Sequence, residues 1–303
     1  MIVCARNEQH NLEKNLPTLL QQNLDNGYEL VLVNDNSEDD TKQVLQWMAR
    51  NNPLLRVVNI ERKGNDRIGK KYPLSIGIRE AKNEHFLLID ADCVPASNQW
   101  AQKMMDAFEQ DIEIVLGYGA YEKHPGLLNK IIRFETFHSA LQYLSYALAG
   151  QAYMGVGRNL SYKKEVFFRH KGFASISHIP GGDDDLFISK AAKNNNTAIV
   201  IDTDAHTISV PQKTWQNWRR QKTRHYSTSK YYKPKHKLLL GLYSLSQFLF
   251  YPLLIAAAVI SGWQIALAAF VIKSTIQYII FSKAMKRLNE TDLIKWIFSW
   301  MYG

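Results

Sequence analysis

A chain of 303 residues holds one large domain or two ordinary ones. Its 46% apolar and 21% charged residues exclude a disordered or collagen-like polymer. Two cysteines, Cys4 and Cys93, exclude a disulfide framework and a four-cysteine zinc site, and fit a reducing compartment. Against 28 Asp and Glu stand 37 Lys and Arg, a net charge of +9 that points to an anionic partner: nucleic acid, a lipid surface or a phosphorylated substrate.

The first apolar run, Ile2-Val3-Cys4, reads as a strand and stops at Arg6, too short for the core of a signal peptide. A central strand normally has about five residues, so the natural start of the chain is expected upstream. Asn11 to Gln22 reads as a helix with Leu12, Leu16, Leu19 and Leu20 on one face. Glu29 to Val33 is a buried strand. Ser37 or Asp39 is placed to cap a helix over Asp40 to Asn51. Leu55 to Ile60 is a third strand, Tyr72 to Ala81 a third helix, and His85 to Ile89 a fourth strand. Such alternation predicts an α/β fold with a mostly parallel sheet covered by helices. Ligands of such sheets sit beyond the carboxyl ends of the strands. The polar clusters fall there: Ala5-Arg6-Asn7-Glu8, Asn34-Asp35-Asn36-Ser37 and Asp90-Ala91-Asp92.

Farther on, residues 126–150 form a long amphipathic segment, and residues 209–232 are rich in Trp, Arg, Lys and Tyr. From Leu238 to Ile260 no residue is charged. At about 1.5 Å per residue this stretch can cross a hydrocarbon core of about 30 Å. After Ser261-Gly262 a second apolar stretch runs from Trp263 to about 282, interrupted by Lys273, a costly charge unless it snorkels or finds a partner. A third piece, Leu293 to Tyr302, is short. The expected organisation is a catalytic domain over 1–208, a basic interface region over 209–237, and a membrane region over 238–303 with spans near 238–260 and 263–282. The aromatic and basic residues before the first span favour lipid headgroups, and nucleic acid is set aside as their partner.

Asp90 and Asp92 put two carboxylates at a strand end, hard ligands suited to Mg²⁺ or Mn²⁺ shared with substrate phosphates; they equally suit a solvated turn. Asp35 can accept from a ribose hydroxyl or a base N–H, or form an Asx turn. Asp183-Asp184-Asp185 follow Gly181-Gly182. Three adjacent carboxylates repel, which raises one pKa and suits a general base; acidic residues also stabilise a helix N-terminus. Gln221-Lys222-Thr223-Arg224-His225 brings an amide, cations and an imidazole within about one helical turn. Lys222 and Arg224 suit a departing diphosphate, or a membrane-facing basic helix.

The order of these clusters, with Gly155-Val-Gly-Arg-Asn159 between the third and fourth, resembles a family 2 glycosyltransferase of the GT-A fold over about residues 1–230. Cellulose and hyaluronan synthases are membrane-bound relatives in that family. The resemblance implies a Rossmann-like GT-A sheet and an inverting transfer from a nucleotide-diphosphate sugar. It places Ala5, Arg6, Glu8, Asp35, Lys70 and Asp90 at the nucleotide sugar, and Asp92 on a divalent cation. Asp183 would be the base, with Asp184 the alternative, and Gln221 and Arg224 would complete the catalytic set. It also assigns the segment 155–162 to the sugar and acceptor pocket. Two departures stand out. Gly182 replaces the family's usual Glu, and His225 replaces the Trp of Q-x-x-R-W, which argues against polymer stacking and for lower processivity. The acceptor implied is lipid-linked or a saccharide, at the cytoplasmic face of the cell membrane. Competing readings are a metal-dependent nucleotidyltransferase, with Arg6 at the α-phosphate, and a non-catalytic membrane-anchored nucleotide-sugar-binding protein.

Overall fold

The computed structural model describes residues 1–61 and 69–296. Seven elements follow in the first third of the chain. They are β1 (Ile2–Ala5), α1 (Gln9–Leu20), β2 (Leu30–Asp35), α2 (Thr41–Asn51), β3 (Leu55–Ile60), α3 (Lys71–Glu80) and β4 (His85–Leu88). The strands lie parallel in the order β3-β2-β1-β4, with Ile2 opposite both Val31 and Leu88, and Asp35 opposite Ile60. Every residue of β2 is buried, as a central parallel strand covered on both faces requires. On α1, Leu12, Leu16 and Leu19 turn into the core, the stripe that their spacing predicts. Element ends differ from the sequence expectation by one or two residues, the usual uncertainty where helices fray.

Beyond β4 come β5 (Cys93–Pro95), α4 (Trp100–Asp106), β6 (Ile114–Gly117), β7 (Gly119–Tyr121), α5 (Leu127–Leu148), β8 (Leu160–Lys163) and α6 (Lys164–Arg169). These are followed by α7 (Asp185–Ala191), β9 (Thr197–Val200), β10 (Thr207–Ser209) and α8 (Trp215–Tyr226). The large sheet has the order β3-β2-β1-β4-β8-β6-β9, with β8 antiparallel to both neighbours. The mainly parallel α/β architecture expected from the sequence is therefore present. The strands after β4 were not anticipated: each has three or four residues, too few for a periodic signal. Three of them form a second sheet, β5-β10-β7. Fully buried Asn159 helps fix this region. Its Oδ1 accepts Trp100 Nε1–H at 3.0 Å, and its amide donates to the carbonyls of Tyr118 and Ala205 at 2.9 Å each. A buried amide is tolerated because its hydrogen-bonding groups are met.

The chain divides into two units, Met1–Tyr231 and Tyr232–Gly303. In the second, α9 (Pro234–Ser261) packs on α10 (Trp263–Arg287); both are long and apolar enough to cross a membrane. Their apolar side chains stay largely exposed, Val259 at 81% and Ile260 at 83%, which a core helix would not tolerate. Lys273 does have a partner: its Nζ lies 4.4 Å from the centroid of the Phe250 ring and 5.2 Å from that of Tyr251. Of the third apolar piece, residues 293–296 belong to a short 3-10 helix over Thr291–Trp296, and the rest lies outside the described residues.

Candidate active site

The carboxyl ends of β1 and β2 carry two loops that hold one another. Asn7 and Asn36 take left-handed backbone (φ 56° and 51°), a conformation asparagine accepts more readily than most residues. The Asn7 N–H donates to Ser37 Oγ at 3.0 Å, the Glu38 N–H to Asn7 Oδ1 at 2.8 Å, and the Glu8 N–H to Thr41 Oγ1 at 3.0 Å. The N-cap position of α2 falls on Asp40, without a side-chain cap bond, and not on Ser37 or Asp39 as expected; Asp39 instead accepts the Thr41 N–H at 3.1 Å and the Gln9 N–H at 3.3 Å, a turn that links the two loops. Ala5 and Asp35, both buried, end their strands side by side in this sheet, with Arg6 half-buried next to them. Glu8 accepts from Asn11 at 2.6 Å; burial, aided by the charge of Asp92, raises its pKa.

Lys70, which immediately precedes α3, joins two distant parts of the sequence. Its ammonium pairs with Asp90 just past β4 and lies 3.9 Å from Asp183 before α7. Burial alone would lower the lysine pKa; the two carboxylates outweigh it and hold the pKa well above the ordinary range. In return Lys70 outweighs burial at Asp90 and keeps that carboxyl ionised.

The triple aspartate divides its work. Asp184 Oδ1 accepts the Asp185 N–H at 2.7 Å and caps α7, while its Oδ2 accepts the Gly157 N–H at 2.8 Å. Asp185, buried, accepts the Leu186 N–H at 2.7 Å and the Thr228 hydroxyl. Asp183 is left to face Lys70; burial first and the charge of Asp184 second push its pKa up to about 6. Burial first and the charge of Asp185 second push Asp184 up to about 6 as well, so an acid-rich helix N-terminus coexists with two raised carboxyls, and it is the hydrogen bonding that tells them apart. Gly182 has φ +86°, and a Cβ there would lie 2.6 Å from Leu186 Cδ1. The absence of a side chain where the family pattern has Glu is therefore a backbone requirement of this turn. At Gly157 a Cβ would come within 3.2 Å of Lys70 Nζ, so a side chain there would press on the lysine tip.

Asp90, Asp92 and Cys93 offer ligand atoms within 4.8 Å of one another. Cys93 is a poor metal ligand, since burial holds its thiol protonated and its Sγ lies 2.9 Å from Ser209 Oγ. Burial and the charge of Asp90 raise the pKa of Asp92, the like-charge repulsion that a hard divalent cation relieves. The residues therefore fit such a cation through the two carboxylates.

On α8, Gln221 Nε2 reaches the Tyr121 hydroxyl at 3.4 Å, and Lys222 pairs with Glu135 of α5. Lys222 is thereby engaged in holding α8 to α5. Arg224 is exposed, and its charge contributes to holding Asp90 ionised. Desolvation by the side chains around it, with the charges of these two cations, lowers the His225 pKa to about 4, so the imidazole is neutral near pH 7 although the residue is exposed. Sequence reasoning missed Arg158 as a site residue. Its guanidinium lies 4.4 Å over the Tyr121 ring, donates to the Gly119 carbonyl at 2.6 Å, and adds positive potential at Asp90 and Asp92. Only its place inside Gly155–Asn159 hinted at this. Thr228 and Glu135 had no sequence signal at all.

Comparison with known proteins identifies the family and the fold. The chain is 28% identical over 109 residues to glycosyltransferase GlyG of Streptococcus pneumoniae, covering 36% of this chain and 35% of that protein. It is 30% identical over 117 residues to an uncharacterized glycosyltransferase, sll0501, of Synechocystis, covering 38% and 35%. The matched part thus spans about a third of the length of each relative. Among solved structures, mannosyltransferase PcManGT from Pyrobaculum calidifontis, in complex with GDP-Man and Mn²⁺, aligns with TM-score 0.59 and 19% identity over 98% of this chain and 85% of that one. Residues 1–349 of S. aureus TarS, in complex with UDP-GlcNAc, align with TM-score 0.50 and 18% identity over 70% and 58%. These two likenesses establish the fold. The sequence model of glycosyl transferase family 2 matches residues 1–175, more than half of the chain; the protein belongs to that family.

Proposed function

We propose that the protein is a membrane-attached, inverting glycosyltransferase that moves a sugar from a nucleotide-diphosphate donor to a lipid-linked or saccharide acceptor at the cytoplasmic membrane face. The observation that carries this reading is Lys70, a single cation that touches the donor-side Asp90 and the candidate base Asp183. Donor and acceptor chemistry meet there.

In this reading Ala5, Arg6, Glu8 and Asp35 line the nucleotide pocket at the strand ends. Asp183 takes the proton of the acceptor hydroxyl while that oxygen bonds to the anomeric carbon, worth about 10²–10⁴-fold in rate. The bond from that carbon to the diphosphate oxygen breaks, and its electron pair leaves with the nucleoside diphosphate. Attack opposite the leaving group inverts the centre. Lys70, Arg224 and Arg158 offset the charge that builds on the diphosphate. Asp92 and Asp90 would hold Mg²⁺ or Mn²⁺, whose charge supplies the same neutralisation when bound. Asp184 keeps Asp183 in place by tying α7 to Gly157, and Gln221 holds α8 against Tyr121.

Membrane attachment is supported by α9 and α10, and by α8, which has no buried residue and exposes Trp215, Arg219 and Arg220. The test is a panel of nucleotide sugars with the full chain in lipid, with and without Mn²⁺. Metal-dependent release of nucleoside diphosphate is expected. Pyrophosphate release from nucleoside triphosphates would instead mean nucleotidyl transfer, and binding without turnover would mean a non-catalytic binder.

A further inference from the structure

Beside the site, in the first unit, lies a cavity of about 660 Å³, in the size range of small-molecule pockets. One wall is a stripe of α3: Lys71, Ser75 and Arg79, at i, i+4 and i+8, all line it. The other is the end of α6 with the segment that follows it, where Phe168 and Lys171 take part. Lys71 donates to the carbonyls of Ile176 and Ile179 and so ties the two walls together. Lys70 is shared by this cavity and the Asp90–Asp183 bridge.

The lining is one-sided in charge. Among the described residues, sixteen line it, of which four are cations and none is acidic. Lys70 and Lys71 are already engaged, but Arg79 and Lys171 are exposed and form no ion pair among the described residues. Tyr72 and Phe168 add aromatic surface that is 51% and 48% exposed. Exposed aromatics beside cations without an ion pair, with no carboxylate among the described lining residues, fit a ligand that carries an acidic group next to an apolar or sugar face. Arg79 lies eight residues along α3 from Lys71, about 12 Å.

We propose that this cavity is the acceptor subsite and that it selects an acceptor bearing a phosphate group. This rests on the transferase reading above and narrows it. The anionic group meets Arg79 and Lys171, and the body of the acceptor crosses Tyr72 and Phe168 toward Lys70 and Asp183.

The test uses the full chain in phosphatidylcholine nanodiscs. Equilibrium binding is measured for a polyprenyl phosphate against the free polyprenol, and for a hexose phosphate against the free hexose. In at least one pair the phosphate should bind tenfold or more tightly than its neutral partner. The double variant Arg79→Glu, Lys171→Glu should lose that preference with nucleotide-sugar affinity and thermal midpoint unchanged. Preference within the lipid pair alone makes the acceptor lipid-borne, and preference within the soluble pair makes it a saccharide. Equal binding within both pairs, or a preference that survives the double variant, overturns the proposal. A wild-type chain that binds no nucleotide sugar strikes the transferase reading instead, and with it the acceptor role, even where phosphate binding persists.

Discussion

The Asp184 carboxylate accepts the Gly157 N–H at 2.8 Å, a hydrogen bond across 27 residues that fastens the acidic run to the turn after α5. Because its other oxygen caps α7, Asp184 is committed to backbone donors, and Asp183 is the carboxylate left facing the cation of Lys70. That division of labour makes the two aspartates separable by experiment.

Asp183→Asn should bind nucleotide sugar normally and transfer at least about 10²-fold more slowly. Asp184→Asn should mainly lower stability, because it weakens the cap and the link to Gly157. Comparing kcat and thermal midpoint for both variants checks this. A dead but stable Asp184→Asn beside an active Asp183→Asn would move the base by one residue.

Asp183 also sets a pH dependence. Its pKa is about 6 in the fold against an ordinary 3.8. As a base it works when ionised, so kcat should rise with pH through about 6 and level off above it. Stability runs the other way. The folded state binds the proton more tightly, so stability falls as pH rises from about 4 to about 6. The ionised group costs on the order of 2–3 kcal/mol near pH 7, and Asp183→Asn should therefore raise the melting temperature at pH 7 while it removes the activity limb. A melting temperature that falls in this variant would contradict the burial argument.

Asp92→Asn should abolish Mn²⁺-dependent donor binding and turnover with the fold intact. Titration calorimetry of nucleotide sugar with and without Mn²⁺ reads this directly. Unchanged metal-dependent binding would remove Asp92 from the metal site.

Thr228→Val deletes the hydroxyl that Asp185 accepts inside the first unit, leaving a buried carboxylate with one donor fewer. A loss of about 1–3 kcal/mol is expected, measured by denaturant unfolding of the full chain in detergent. A variant as stable as wild type would mean that the remaining partners of Asp185 suffice.

Lys230, Lys233, Lys235 and Lys237 precede or begin α9, Lys283, Lys286 and Arg287 end α10, and Ser261-Gly262 between the helices carries no charge. Basic flanks stay on the cytoplasmic side, so a hairpin with both ends inside is expected. A cysteine at Ser261 should be labelled only from outside, and one at Asn289 only from inside. Labelling of Asn289 from outside would overturn the hairpin.

By itself the sequence determined the layered α/β order of the first four strands, because a buried strand must be a short apolar run and a covering helix must repeat its apolar residues near every 3.6 positions. It likewise determined two apolar helices, since 23 uncharged residues in a row, and a second apolar stretch broken only by Lys273, are local properties. It also showed where acids cluster. Which acid does what was decided only by tertiary structure. Asp183 and Asp184 are neighbours of one type, and nothing local separates a carboxylate capped by Gly157 from one that meets Lys70. The roles of Arg158, Thr228 and Glu135 were hidden for the same reason: each depends on a partner more than 35 residues away, Gly119, Asp185 and Lys222. Burial, which sets the Asp183 pKa, belongs to the assembled layers, because desolvation is a sum over everything that packs around a group and no stretch of sequence carries that sum.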